Sequence, residues 1–268
     1  PESKYSATHE RFRLDPPKEA RIVELNYKDN PWFPDVLEMT RLEDKEKRIE
    51  TYSHIWEGDF LIYTEGSYYG LEMRRIKDQG RICSVPYDRA KGVVTAWDLG
   101  IGDSTAVWFA QFIGTEVHLI DYYETSGVGL EHYVKVLQDK GYVYDQHIFP
   151  HDVRVRELGS GQSRIEILES LGLKEIDIAP DLLVSDGIQQ VRTLLDKCYF
   201  DATNCEKGID CLLNYSRSWD DNGKVWRMKP NHNWASHGAD AMRYLAVGYS
   251  LVDSNWDKPL RRNLKGVV

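Results

Sequence analysis

Val93-Val94-Thr95-Ala96-Trp97-Asp98-Leu99-Gly100-Ile101-Gly102-Asp103-Ser104-Thr105 is an apolar run that ends on a carboxylate and turns back through two glycines. Val93 to Trp97 is apolar on both faces, which predicts a central, fully buried strand. Gly100 and Gly102 let the backbone reverse tightly at its end. Two further runs rich in Val, Ile, Trp, Phe and Tyr follow at 104–112 and 116–124, with Gly114-Thr115-Glu116 between them. Together they predict a three-stranded antiparallel meander.

The pattern then changes. Leu130 to Lys140 has an amphipathic helical period and stops at Gly141. A fourth strand is expected to end His147-Ile148-Phe149-Pro150-His151-Asp152, and Ile176-Asp177-Ile178-Ala179 a fifth, after a helix over Ile165 to Leu171. Ser185 or Asp186 can cap a helix carrying Ile188, Val191, Leu194, Leu195 and Cys198. Cys205 to Tyr215 reads as another helix. Asn222-Gly223 between Trp219 and Trp226 signals a hairpin, and Ser236 to Val252 forms the last helix. The fold class expected is α/β, a mixed sheet of antiparallel meander plus parallel strands flanked by helices.

Upstream, Asn26-Tyr27-Lys28-Asp29-Asn30-Pro31-Trp32-Phe33-Pro34 reads as a turn into an exposed, highly charged helix, and Tyr68 to Gln79 as a second helix stopping at Gly80. The organisation expected is a lead segment over 1–90, a core over 91–252 and a flexible basic tail over 253–268 carrying Arg261, Arg262 and Lys265. The first residue is Pro1 and the opening stretch is weakly patterned, so the chain reads as a fragment of a longer protein.

With 268 residues and 41% hydrophobic content the chain can bury a large core. No apolar run approaches the roughly 20 residues needed to span a bilayer, so no membrane association is expected and a cytoplasmic setting is. Cys83, Cys198, Cys205 and Cys211 show no C-x-x-C pair, which argues against structural zinc. The net charge of −9 speaks against a basic footprint for nucleic acid, but its distribution is uneven. The segment 91–250 is the most acidic, as a cluster of acids neutralised by bound cations would be.

Three isolated acids carry the chemistry. Asp98 closes a strand, Asp152 closes another beside Arg154 and Arg156, and Asp240 interrupts Ala239 and Ala241 in the small-residue face of the last helix. Each has a plainer role open to it: Asp98 as a turn cap, Asp152 in a surface ion pair, Asp240 at a helix start or held by Arg243 one turn on. Three carboxylates at the tips of distant elements also match the oxygen donors that hard divalent cations take.

The motifs Trp97-Asp98-Leu99-Gly100-Ile101-Gly102-Asp103-Ser104-Thr105, Pro150-His151-Asp152 and Ser236-His237-Gly238-Ala239-Asp240-Ala241-Met242-Arg243-Tyr244 resemble the nuclease domain of the large terminase subunit of tailed bacteriophages, which has a ribonuclease-H-like fold. The stretch 26–34, with Tyr52-Ser53-His54-Ile55-Trp56-Glu57-Gly58, resembles the segment in which that family's ATPase domain ends. The resemblance implies a DNA endonuclease in which Asp98, Asp152 and Asp240, with Asp103 a possible fourth, bind two Mg²⁺ or Mn²⁺ ions about 4 Å apart. His151 and His237 would stand behind the ligands or contact phosphate, or, like any His beside packed elements, serve structure alone. Arg154, Arg156, Lys229 and His232 are the candidate phosphate contacts. It further implies double-stranded DNA, a portal protein and a small terminase subunit as partners, and the host bacterial cytoplasm as location. No G-x-x-x-x-G-K-[ST] loop occurs, so the nucleotide site of an ATPase domain is expected in a segment missing from this chain. The competing readings are a Holliday-junction resolvase or DDE transposase of the same fold, and a non-catalytic module that docks on a portal or grips DNA.

Overall fold

The computed structural model describes residues 7–60, 66–100, 104–156, 161–220 and 223–253. The chain forms two compact units, one of residues up to Ser67 together with 216–229, the other of Tyr68–Tyr215 and the chain from Pro230 onward. The boundary between these units falls after Ser67, and the tail expected from 253 lies outside the described residues apart from Asp253 itself.

In the first unit, Asn26 caps a short turn over Tyr27–Asp29 in a reciprocal arrangement with Asp29. Helix α1 (Asp35–Lys47) follows Pro34. Its Val36, Met39 and Leu42 remain exposed, as the charged sequence predicts. Its one buried side chain, Asp44, accepts a hydrogen bond from Trp56 Nε1 at 3.0 Å. Trp56 packs edge-on against both Tyr27 and Phe33, whose rings are tilted 45° to each other.

The second unit is built on a seven-stranded sheet. Its helices, in chain order, are α2 (Gly70–Asp78), α3 (Leu130–Lys140), α4 (Arg164–Ser170), α5 (Val184–Leu195), α6 (Glu206–Asn214) and α7 (Ser236–Asp253). Its strands are β1 (Ile82–Cys83), β2 (Val93–Asp98), β3 (Thr105–Ile113), β4 (Glu116–Thr125), β5 (Tyr144–Phe149), β6 (Ile176–Ile178) and β7 (Cys198–Asp201), in the spatial order β1-β7-β4-β3-β2-β5-β6. The β2-β3-β4 meander is antiparallel, whereas β5 joins β2, β6 joins β5, and β7 and β1 extend the other edge, all in parallel. The first unit contributes a separate hairpin, β8 (Arg217–Asp220) and β9 (Val225–Pro230), with the Trp219 and Trp226 rings 4.9 Å apart.

β2 is buried on both faces, as its sequence requires. Val94 and Ala96 join one apolar layer with Trp108, Val191, Leu212 and Met242, while Val93 and Trp97 join the other with Phe109, Tyr133, Leu137 and Phe149. α7 comes close to the sheet because its contact face is small. A Cβ on Gly248 would lie 2.6 Å from Ile148 Cδ1, and Trp108 Nε1 donates to the Gly238 carbonyl at 2.8 Å. Gly141 and Gly80 end α3 and α2 with φ of +66° and +69°, the left-handed stop their positions predict.

Three local readings are revised. β5 ends at Phe149, because Pro150 has no N–H to continue the ladder, and Asp152 lies in a 3₁₀ turn over His151–Arg154 rather than on the strand. Helix α5 starts after Leu183 with no side-chain cap from Ser185 or Asp186. Cys198 continues the helical apolar period in sequence but belongs to β7. β1 and β7 themselves are too short to stand out in the sequence. Among the described residues no helix is long and apolar enough to cross a membrane.

Candidate metal centre

Asp98 is the last residue of β2, opposite Ala106 on β3, and Gly100 N–H donates to Thr105 Oγ1 at 3.2 Å to close the following turn. Its carboxylate is reached from α7, where buried His237 donates from Nδ1 to Asp98 Oδ2 at 3.3 Å. Burial raises the Asp98 carboxyl above the usual carboxylate range. The His237 hydrogen bond opposes the shift, and the negative charge of Asp240 adds to it.

Asp240 lies one turn after His237. Its Oδ1 accepts from Tyr215 Oη at 3.2 Å and from Arg243 Nε and Nη2 at 3.2 and 3.0 Å. Arg243 reaches this position past Gly187 of α5, where a Cβ would lie 2.5 Å from its Cδ. Burial alone would lower the guanidinium's affinity for its proton, but Asp240 outweighs it and the net direction is up. The plain account of Asp240, an ion pair with Arg243, is thus present in the structure.

Asp152 approaches from the turn after β5. Its Oδ2 is 3.8 Å from Arg164 Nη1, and its Oδ1 is buried with no hydrogen-bond partner. Burial, with the charges of Asp98, Asp240 and Asp152 adding to it and Arg243 opposing it, raises the Tyr244 phenol to about 12. All three carboxylates thus act electrostatically on one side chain of α7. Their donor chemistry suits Mg²⁺ or Mn²⁺, and the orphaned Asp152 Oδ1 is the kind of atom a cation satisfies. Even so, no three His, Cys, Asp or Glu side chains among the described residues converge at metal-holding distance. Asp103 lies outside the described residues.

The other sequence candidates scatter. His151 is half exposed and faces Asp181 at 3.8 Å, not Asp152. Arg154 is exposed on the Asp152 turn, and Arg156 is exposed and paired with Glu166 at 3.5 Å. His232 is exposed, 3.2 Å from Ser236 Oγ through Nδ1, its ring 5.6 Å from that of His237. Lys229 is exposed on β9 and belongs to the other unit. Sequence reasoning missed Arg164 and Tyr215. The only local signal near Arg164 is the Ser163-x-x-Glu166 capping box. A cavity of about 320 Å³ opens beside the Leu99-Gly100 turn, walled by Thr105, Gly129, Tyr133 and Arg164. A larger one of about 440 Å³, by α5, touches none of the three acids.

Neither a protein-family model nor a curated protein matches the chain. Solved structures do. The large terminase from a thermophilic bacteriophage aligns over 85% of this chain and 55% of its own, at 19% identity and a TM-score of 0.51. The same terminase in complex with ADP aligns equally far, at 18% identity and a TM-score of 0.52. The P22 large terminase nuclease domain aligns over 65% of this chain and 89% of its own, at 18% identity and a TM-score of 0.49. The chain thus spans about 55% of the length of the thermophilic phage's protein. Across most of its length it has the ribonuclease-H-like fold found in the bacteriophage large terminase.

Proposed function

We propose that the chain is the nuclease part of a phage large terminase, a metal-dependent endonuclease that cuts concatemeric viral DNA. What supports this reading is that the His237–Asp98 hydrogen bond brings the end of β2 to the turn of α7 that carries Asp240, that Asp152 acts on the same Tyr244 as both, and that the fold is shared with a large terminase. Those three residues, with Asp103, would hold two Mg²⁺ or Mn²⁺ ions. When bound, such ions activate water and stabilise the leaving oxygen of a phosphodiester. The chain's own residues do the rest: His237 and Tyr215 orient two of the carboxylates. Arg154 and Arg156, exposed on and just after the Asp152 turn, and His232, exposed ahead of α7, are suited to phosphate oxygens, and exposed Lys229 on β9 is a further candidate. No recognition-helix pattern is present, so cutting is largely independent of sequence. In the whole protein an ATPase domain, a portal and a small subunit would act with this part, in the host bacterial cytoplasm.

One observation favours a second reading. Arg243 already neutralises Asp240, as it would if the acids were structural and the chain were a non-catalytic portal or DNA-docking module. Plasmid DNA incubated with the purified chain separates the two. Nicking is expected with Mn²⁺ or Mg²⁺ and is stopped by a chelator. Asp98→Asn, Asp152→Asn and Asp240→Asn should each lose more than the roughly 10–100-fold typical of outer-shell partners. Unchanged cleavage in all three variants, or no metal-dependent cleavage by the wild type, would refute the nuclease assignment.

A further inference from the structure

We propose that Arg164 is a positioning residue for Asp152, directing one carboxylate oxygen away from the centre and leaving the other for the cation; the inference rests on the metal-dependent reading above. Arg164 is the first residue of α4 and is held there by the capping box of Ser163 and Glu166, whose backbone and side chains bond reciprocally at 2.8 and 3.3 Å. Its side chain is 9% exposed. The buried Arg81 shows what such a guanidinium ordinarily requires: its Nη1 donates to the carbonyls of Leu195 and Cys198 at 3.0 and 2.7 Å. Arg164 Nη1 is equally buried and donates to nothing among the described residues. The anion it faces is Asp152 Oδ2, at 3.8 Å, just beyond hydrogen-bond reach. A buried guanidinium left short of a hydrogen bond is costly, so its placement calls for a reason beyond packing.

The reason lies in what the three carboxylates have in common. Asp98 has Oδ2 engaged by His237, and Asp240 has Oδ1 engaged by Tyr215 and Arg243. Asp152 turns Oδ2 toward Arg164 and leaves Oδ1 buried without a partner. In each case one oxygen faces a protein donor and the other accepts no hydrogen bond among the described residues. A planar, permanently charged guanidinium on a capped helix is a fixed reference for such a carboxylate. Outer-shell partners of this kind typically contribute 10–100-fold to metal affinity.

Calorimetric titration of Mn²⁺ into the full chain tests this, with melting curves recorded alongside. The wild type should bind and Asp152→Asn should bind far more weakly. Arg164→Met should bind about tenfold more weakly than the wild type, and Arg164→Lys, which keeps the charge without the fork, should recover part of the loss. Unchanged affinity in a folded Arg164→Met would overturn the positioning role. Tighter binding would also overturn it, showing that Arg164 merely repels the cation. Should Arg164→Met not fold, Arg164→Lys decides, and affinity equal to the wild type's refutes the inference. If the wild type binds no Mn²⁺, or Asp152→Asn binds it as well as the wild type, the metal reading falls and this inference with it.

Discussion

His147 makes the stability of the sheet depend on pH in a way that can be worked out from its contacts. It is buried in β5, 3% exposed, and its Nδ1 lies 2.6 Å from Thr95 Oγ1 on the neighbouring β2. Trp97 Nε1, which can only donate, gives its hydrogen to the same Thr95 oxygen at 2.7 Å. The hydroxyl keeps its own hydrogen to give to His147 Nδ1, which accepts it when the ring is neutral with its proton on Nε2. Protonating the ring would strand that hydroxyl hydrogen and bury a charge. Burial accordingly lowers the His147 pKa from 6.5 to about 4. The sign follows from linkage. Between those values the unfolded chain binds a proton that the folded chain refuses, so stability is lost as pH falls from about 6.5 and the loss levels off below about 4. Near pH 4 the loss reaches about 3 kcal/mol, because each pH step of one between the two values costs about 1.4 kcal/mol. Urea unfolding from pH 7.5 to 4, compared with His147→Asn, isolates the effect, because the Asn carbonyl can accept from Thr95 but does not titrate. The wild type should lose about 3 kcal/mol more than the variant over this range. Parallel pH dependences in the two proteins would refute the assignment of a buried neutral histidine.

Asp98→Asn should raise the thermal midpoint at neutral pH. A carboxyl whose folded pKa is raised weakens the fold wherever it is charged, so the variant's advantage is full above that folded value and disappears below the unfolded value of about 3.9; an equal midpoint at pH 7 would contradict the buried-charge account. Gly238→Ala should destabilise by about 1–3 kcal/mol in urea titrations despite alanine's helix propensity, since its Cβ would meet Tyr122 Oη at 2.7 Å and Cys211 Cβ at 2.8 Å; a stabilised variant would mean that α7 can lift off the sheet at little cost. Ser163→Ala should cost about 1 kcal/mol through loss of the α4 cap, and a loss within error would show that the capping box does not hold Arg164 in place.

Much of the sheet is legible in local pattern. The meander read at 93–98, 104–112 and 116–124 is found at Val93–Asp98, Thr105–Ile113 and Glu116–Thr125, because both-face apolarity and glycine turns are properties of neighbouring residues. β1 and β7 are not legible. With two and four residues, they are strands only because parallel partners supply their hydrogen bonds, and Cys198 happened to extend a helical period. Asp152 was read one element too early because the pattern around Pro150 is extended, whereas the 3₁₀ turn depends on how the chain packs afterwards.

The acids stood out in the sequence because each interrupts an apolar context, and burying a charge there requires an explanation. Which donor answers each of them was not legible. His237 is 139 residues from Asp98, Tyr215 is 25 from Asp240, and Arg164 is brought to Asp152 by a turn and a capped helix. The sequence by itself determined the strands, the helix stops and the three carboxylates, since period, turn chemistry and a misplaced charge are local. Only the tertiary structure decided the electrostatics of the centre, because the field at a carboxylate depends on groups that meet across the sheet and share no spacing along the chain.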